Sequence, residues 1–443
     1  MMTKILGLLF LLLTQAVNAK VNIENWQTTQ GSQVYFIQTT GLPMVDVQVV
    51  FDAGSARDGR QFGIAGFTAA LLDTGAGTWN ADVIAQRLES VGAQLGAGVT
   101  TDMATVSLRS LTEPKLLNSA LETMQTVLSK PRFTATDFKR DLSRTLAGLK
   151  QREESPAAQA DIAFNKALYG EHPYAHDSDG DLKTVSAFTV AKVRDFYQRH
   201  YVAANAMVVM VGNVDKPQAT QIAEKLMASL PVGQKPAPLA EVVLPKKNPP
   251  QHIEFPSSQT HVLVGLPVSF RQDPDYFTLY VGNHILGGSG LVSKLFDEIR
   301  EKRGLAYSAS SHFAAYLKPG PFEISLQTRN EKTTEALEVL NKTLADFIDN
   351  GPTEAALKAA KQNITGGFAM RFDTNKELAG YAAMIGFYHL PLDYLDTFTQ
   401  KIEQVNVADI KAAFKRRLPV DLLQTITVGK TVPQAATVKS SAK

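Results

Sequence analysis

Cysteine is absent from all 443 residues of the chain. Its absence excludes a disulfide framework and lipid attachment at a cysteine behind an N-terminal leader. The stability of the fold must therefore come from hydrophobic cores. The chain is 44% hydrophobic and 20% charged, which is sufficient for two ordinary domains that each bury a core.

An excess of either charge is also lacking, since 45 Lys and Arg residues stand against 43 Asp and Glu residues. The balance gives neither the basic footprint of a nucleic-acid-binding protein nor an acidic tail. We therefore expect no nucleic-acid partner. Beyond the N-terminus, no segment approaches the ~20 uncharged apolar residues that a membrane helix needs.

The first 19 residues have the pattern of a secretory signal peptide. Lys4 gives a positive start, Ile5 to Leu13 form an apolar run, and small residues before Lys20 offer a cleavage site. We expect residues 1–19 to be removed. A membrane anchor is the alternative, although the apolar run is short for a bilayer span. Secretion without disulfides favours a bacterial periplasm.

Six prolines crowd the segment 230–250, where neither a helix nor a central strand is expected. We interpret this segment as a linker between a first domain at residues 20–229 and a second domain at residues 251–443. The two parts have similar lengths, which suggests a duplicated unit.

An internal repeat does occur, at an offset of about 217 residues. The segment VAKVRDFY at Val190 matches VADIKAAF at Val407, and the Val-Gly pair at Val211 matches the pair at Val428. Several matches at the same offset rarely arise by chance. The sequence therefore predicts two copies of one fold.

Each copy combines strand and helix patterns. Apolar residues alternate from Val45 to Phe51, and Met207 to Val211 form a short apolar run, as in strands. Helical spacing recurs in five segments: Ile84 to Val91, Leu116 to Leu128, Thr136 to Arg152, Thr334 to Ile348 and Glu354 to Phe368. Each half is therefore predicted to be α+β, a sheet with helices packed on one face.

Two motifs resemble those of the pitrilysin/insulinase peptidase family. In the second half the motif is LFDEIREKRGLAYS, which begins at Leu295 and follows Gly287, Gly288 and Gly290. In the first half it is GIAGFTAALLDTGAGT, which begins at Gly63. The resemblance covers essentially the whole mature chain and implies that the two α+β repeats form half of a clam-like chamber.

Active members of that family carry an inverted zinc motif, H-x-x-E-H, and a carboxylate ligand further along the chain. The resemblance places the two histidine positions on Gly66 and Ala70, the glutamate base on Ala69 and the later carboxylate on Ala147. Glycine and alanine offer no metal donor. We therefore expect no zinc and no other cofactor in this chain.

His172 and His176 lie four residues apart and form a second possible metal pair. Pro173 opposes the helical turn that would bring both side chains onto one face. No third donor is evident, so ordinary loop histidines are favoured over a metal site.

The resemblance matches Arg300 and Tyr307 to the arginine and tyrosine that family members extend toward bound substrate. A guanidinium can bind a peptide carbonyl or carboxylate, and a phenol can donate to a developing oxyanion. The alternative for Arg300 is a solvated helix face, because it lies in the charged run 297–303. Gly304 is expected to end this helix.

Gly287, Gly288 and Gly290 have two possible roles. They could form a turn between helices or a flexible loop that approaches a bound peptide, and glycine alone favours neither. A phosphate loop is not expected, because the Walker lysine is missing.

The resemblance implies a zinc-less subunit that binds peptides while a homologous, zinc-bearing partner hydrolyses them. We therefore expect a secreted, periplasmic heterodimer. The alternative is a structural or peptide-holding subunit without a role in proteolysis. An independent hydrolase lacks support, because no nucleophile–base arrangement stands out.

Overall fold

The computed structural model describes residues 21–432. The signal peptide expected at residues 1–19 lies outside the described residues. No helix between residues 21 and 432 is both long enough and apolar enough to cross a membrane.

The first domain contains the elements up to Ala228. Its strands are β1 (Glu24–Gln27), β2 (Gln33–Gln38), β3 (Met44–Phe51), β4 (Gly75–Ala76), β5 (Trp79–Asn80), β6 (Gln94–Val99), β7 (Ala104–Leu111) and β8 (Ala206–Gly212). Its helices are α1 (Ile64–Ala70), α2 (Ala81–Glu89), α3 (Pro114–Ser129), α4 (Ala135–Glu153), α5 (Pro156–Tyr169), α6 (Leu182–Ser186), α7 (Val190–His200) and α8 (Lys216–Ala228). The main sheet has the order β1-β2-β8-β3-β7-β6.

The second domain begins at Gln251. Its strands are β9 (Gln251–Glu254), β10 (Gln259–Ser269), β11 (Ala306–Phe313), β12 (Gly320–Arg329) and β13 (Gln424–Gly429). Its helices are α9 (Tyr276–Asn283), α10 (Lys294–Phe296), α11 (Thr333–Asn350), α12 (Glu354–Gly366), α13 (Asn375–Phe387), α14 (Tyr394–Gln404) and α15 (Val407–Arg417). The sheet has the order β11-β12-β10-β13-β9.

The two sheets have the same topology. The order β2-β8-β3-β7-β6 of the first corresponds to β9-β13-β10-β12-β11 of the second. In each sheet the first pair of that series is parallel and the other neighbours are antiparallel. Helices α7 and α15 both have 11 residues and begin at the repeated segments. The predicted duplication of an α+β unit is confirmed.

Equivalent helices begin at polar capping residues, which satisfy backbone N–H groups that have no partner within the helix. Thr134 caps α4 and Thr353 caps α12, and in each case the side-chain oxygen accepts from the backbone N–H three residues further on. The segments predicted as helices all form helices, with ends that differ by a few residues. Helix α9 ends at Asn283 and continues directly as a π-helical turn, His284–Gly288.

Each sheet packs its own helices on one face, as predicted, and a helix of the other domain on the opposite face. Helix α5 of the first domain contacts β10 and β13, whereas α13 of the second domain contacts β2, β3 and β8. Alternate residues of β8 consequently lie in two different cores, with Val208 in one and Val209 in the other. The exchange explains why every residue of β8 is buried.

The segment between α8 and β9 contains no helix or strand. It nevertheless contacts the first domain, because the carbonyl groups of Pro231 and Val232 accept from the backbone of residues 203 and 204. The Arg57 guanidinium donates to the carbonyl of Ala237 at 2.6 Å. The linker therefore lies along the first domain.

Candidate functional site

A cavity of about 540 Å³ lies beside α1, α4 and the end of β6. Its lining residues come from these elements and from the segment after α5: Gly63, Gly66, Phe67, Ala70, Val99, Asp141, Arg144, Thr145, Gly148, Leu149, Arg152, Ser178 and Asp179. The cavity is thus lined by the face of α1 that would carry the two histidines of an inverted zinc motif.

Gly66 and Ala70 both line this cavity, as the four-residue spacing on one helix requires. A Cβ atom added at Gly66 would come no closer than 3.8 Å to its nearest neighbour, the carbonyl oxygen of Ser178. The space for a side chain is therefore present. Ala69, at the position of the glutamate base, is 3% exposed and does not line the cavity.

Ala147 does not line the cavity, and the structure does not support it as the position of the third ligand. The α4 residues that face the cavity include Thr145 and Gly148, whereas Ala147 is exposed elsewhere on the helix. A shift of one residue turns a helical side chain by about 100°. Gly148 is the adjacent position with the correct orientation, and a Cβ added there would meet nothing within 4 Å.

The carboxylates at the cavity are already paired with arginines. The buried Asp141 lies 3.2 Å from Arg140 and 3.1 Å from Arg144. Arg152 pairs with Asp179 and Asp177. In the described part of the chain, no group of three or more His, Cys, Asp or Glu residues could hold a metal ion.

The two loop histidines have separate structural contacts. The Nε2 of His176 donates to the carbonyl of Ser55 at 3.0 Å and lies 3.1 Å from the carboxylate of Asp58. That carboxylate in turn accepts from the N–H groups of Gly63 and Ala65 and so caps α1, and burial raises its pKa. His172 donates to the linker at Ala240 instead. These contacts agree with the interpretation as ordinary loop histidines.

A second cavity, of about 280 Å³, lies between the domains and shares Arg152 and Ser178 with the first. Glu323 of β12 lines it, opposite His312 of β11. Burial, with a smaller contribution from the charge of Asp161, raises the pKa of Glu323 to about 7. Sequence reasoning missed this cavity, because its residues come from distant segments that carry no shared motif.

The structure brings Arg300 and Tyr307 together. The guanidinium carbon of Arg300 lies 4.6 Å from the ring centre of Tyr307 and 4.7 Å from that of Phe296, in cation–π geometry. Arg300 stands on a π-helical turn, Asp297–Glu301, and Tyr307 is 79% exposed. The pair therefore forms one platform with an exposed phenol.

Two local features produce this convergence. Gly304, at φ +60°, donates its N–H to the carbonyl of Arg300 at 2.8 Å, which confirms the predicted helix end. The register between β11 and β12 then shifts between Ala306 and Ala309, so Tyr307 and Ser308 lie in a bulge. Bulges re-aim side chains at the edges of sheets, and β11 is the outer strand of its sheet.

Packing and turn geometry account for two of the three glycines. A Cβ at Gly287 would overlap the backbone nitrogen of Ser311, so this glycine permits close approach of the π-helical turn to β11. Gly290 has φ +63°, which glycine adopts without strain. The next residues, Leu291 and Val292, are 70% and 84% exposed. A role of this loop in substrate binding stays a prediction.

Strand β6 forms the outer edge of the first sheet and pairs with β7 among the described strands. Its last residue, Val99, lines the cavity beside Gly66. The unpaired side of an edge strand offers N–H and C=O groups to an extended peptide.

The chain is peptidase-like: it has two copies of one α+β domain, with a helix face at a cavity in the first copy and an Arg–Tyr platform in the second. Residues 33–177 match the family model described as insulinase (peptidase family M16), and residues 187–364 match the one described as peptidase M16 inactive domain. A solved structure, described as the peptidase M16 inactive domain from Pseudomonas fluorescens, is 38% identical with a TM-score of 0.90. That similarity covers 94% of this chain and 99% of the solved one. The chain belongs to the insulinase family, peptidase family M16.

Curated relatives carry contrasting names. An uncharacterized zinc protease of Mycobacterium leprae is 28% identical over 90% of this chain and 91% of its own length. A non-peptidase homolog of Helicobacter pylori is 24% identical over 86% of this chain and 88% of its own length. Membership of the family therefore leaves activity open, and the residues at the zinc-motif positions have to decide it.

Proposed function

We propose that this chain is the non-catalytic, peptide-binding subunit of a heterodimeric zinc metallopeptidase. The observation that carries the proposal is a contrast within one molecule. The zinc-motif positions at the first cavity, Gly66 and Ala70 among them, carry no metal donor, whereas Arg300 and Tyr307 form a stacked pair with an exposed phenol. The first half has lost the chemistry and the second half retains groups that bind a peptide.

The chain is not expected to hydrolyse peptides alone. A catalytic zinc site needs about three protein donors and an open position for water. Glycine and alanine at positions 66, 69 and 70 supply none, and arginines neutralise the nearby Asp141 and Asp179. The zinc and the water that attacks the peptide belong to the partner in this proposal.

Arg300 and Tyr307 bind and stabilise the substrate. Contacts with Phe296 and Tyr307 fix the guanidinium, so little side-chain entropy is lost when it binds a carbonyl or carboxylate. The phenol of Tyr307 donates to the oxygen on which charge develops. The peptide itself lies extended, and the edge of β6 provides one surface for it.

The partner is a homologous subunit with an intact H-x-x-E-H motif, and the complex resides in the bacterial periplasm. The signal pattern at residues 1–19 and the absence of cysteine support that location. The alternative is a structural or peptide-holding subunit. The Arg300–Tyr307 platform, with its exposed phenol, favours the first function over the second.

The test begins with affinity purification of the tagged chain from its native source and identification of the co-purifying chain by mass spectrometry. The complex is then reconstituted with Tyr307→Phe or Arg300→Ala, and with Arg329→Ala as an exposed arginine control. We expect Tyr307→Phe to reduce turnover on the order of a hundredfold and Arg300→Ala to weaken peptide binding, with unchanged assembly in size-exclusion chromatography. Full activity of both variants in intact complexes would leave the structural subunit as the better description.

A further inference from the structure

Two adjoining cavities of about 520 and 370 Å³ lie in the second domain, between α9, α13 and α14. They share Arg271, Tyr276 and Tyr394, and together we call them the tyrosine groove. Further aromatic residues line its walls: Phe277, Tyr280, Tyr381 and Phe398. No residue of the first domain lines either cavity, so the groove is separate from the lost zinc site and from the Arg300–Tyr307 pair.

Arg271 lies at the junction of the two cavities, and its guanidinium has N–H donors that are available to a ligand. One Nη donates to the hydroxyl of Tyr276 at 3.0 Å, and the group lies between the rings of Tyr276 and Tyr388. Its Nε is buried and has no acceptor within the described residues. The nearby carboxylates of Asp273 and Asp275 pair with Arg416 and Arg417 instead.

Arg371 is the second arginine of the groove. Its Nη1 donates to the hydroxyl of Tyr280 at 2.7 Å, and its side chain is exposed. One carboxylate, Glu377, also lines this part, but it accepts from Thr374 at the start of α13. Neither arginine forms an ion pair with any residue between 21 and 432, and tyrosine hydroxyls hold both in place.

We propose that the tyrosine groove binds a ligand in which a carboxylate is attached to an apolar or aromatic body, and that its occupant is the C-terminal residue of a peptide. Guanidinium donors bind carboxylates through paired, charge-assisted hydrogen bonds. Rings of Tyr276, Tyr394 and Phe398 supply the apolar contact. Cavities of this size are typical of small-ligand sites.

This site goes beyond the proposed function, because it needs neither the partner nor zinc. The experiment uses the purified mature chain alone, titrated with N-acetyl-glycyl-phenylalanine as the free acid or as its C-terminal amide. Binding is measured by isothermal titration calorimetry and by tyrosine fluorescence. We expect the free acid to bind at least tenfold more tightly than the amide, since the amide has no charge for the two arginines.

Arg371→Met is the decisive variant, because its side chain is exposed and its loss leaves the core intact. We expect at least a tenfold loss of affinity for the free acid, and a similar loss in Arg271→Met, with unchanged thermal unfolding for Arg371→Met. Arg60→Met, an exposed arginine of the first domain, serves as the control and should bind normally.

Three results would overturn the proposal: no binding of the free acid at millimolar concentration, equal affinities for acid and amide, or normal binding by Arg371→Met. Competition by inorganic phosphate as strong as that of the peptide acid would overturn the apolar part of the recognition. None of these outcomes depends on peptidase activity, so failure here is distinct from failure of the heterodimer proposal.

Discussion

The exchanged helices predict that the two domains unfold together, and Phe164 tests this directly. Phe164 belongs to α5 of the first domain, is 1% exposed and packs in a cluster with Leu263 and Ile426 of the second sheet. The contact is close, because a Cβ added at Gly265 would lie 2.8 Å from the Phe164 ring. Truncating a buried phenylalanine to alanine costs about 3–5 kcal/mol in lost burial and residual cavity.

That cost is a large part of the 5–15 kcal/mol that stabilises a typical domain. Because the lost contact joins the two domains, Phe164→Ala should destabilise both. The two tryptophans, Trp26 and Trp79, lie in the first domain, so tryptophan fluorescence reports its unfolding. Far-UV circular dichroism reports both domains. In urea titrations we expect the two signals to change together and to shift together in Phe164→Ala.

Ile162→Ala provides the matched control, since Ile162 lies on the same helix but is 40% exposed. Surface truncations usually change stability by about 0.5 kcal/mol or less. The reasoning would be refuted if residues 21–229 alone unfolded at the midpoint of the full chain, or if Phe164→Ala separated the fluorescence and dichroism transitions.

Three further predictions concern single sites. Burial raises the pKa of Glu323 from 4.5 to about 7, so the native state favours the protonated acid; its contribution to the free energy of unfolding is present below pH 4.5 and is lost as the pH rises through 7. Glu323→Gln should therefore remove about 1–3 kcal/mol of the pH dependence of the unfolding free energy between pH 5 and 8. An unchanged pH dependence would contradict the raised pKa of Glu323. Gly287→Ala should lower the unfolding free energy by about 1–3 kcal/mol through backbone overlap, whereas Gly290→Ala should cost about 1 kcal/mol; a reversed order in urea titrations would contradict the packing role of Gly287. With the three α1 motif positions restored to H-x-x-E-H, a glutamate at Gly148 should give tighter zinc binding in metal analysis than a glutamate at Ala147, and equal binding would contradict the orientation of α4.

The sequence was sufficient for the duplicated fold, because repeated segments share both periodicity and offset. It could not reveal the exchange of α5 and α13. Apolar spacing shows which face of a helix is buried, but the partner that buries it is decided by the path of the chain. Gly386 of α13 illustrates the point, since an added Cβ there would lie 2.5 Å from the ring of Tyr35 in the first domain.

The candidate site was predicted in part. The positions of Gly66 and Ala70 followed from a short motif within one helix. The third position lay far along the chain, where an error of one residue changes the face of α4 that the residue occupies. The approach of Arg300 and Tyr307 depended on the turn at Gly304 and on the register shift between Ala306 and Ala309, which is set by pairing with β12, a strand further along the chain.

The cavity beside Gly66 and Ala70 is open, although the zinc-motif positions carry no metal donor. Without donors, the space could have been filled by larger side chains, since a filled core is more stable than an open one. Instead glycine remains at positions 66 and 148, and about 540 Å³ stays open beside the edge strand β6. The acids around it are neutralised by Arg144 and Arg152, which also face the cavity. In the proposed function, this open, charge-neutralised cavity next to the edge strand β6 receives a peptide without cleaving it, because it offers space and backbone groups but no zinc-bound water.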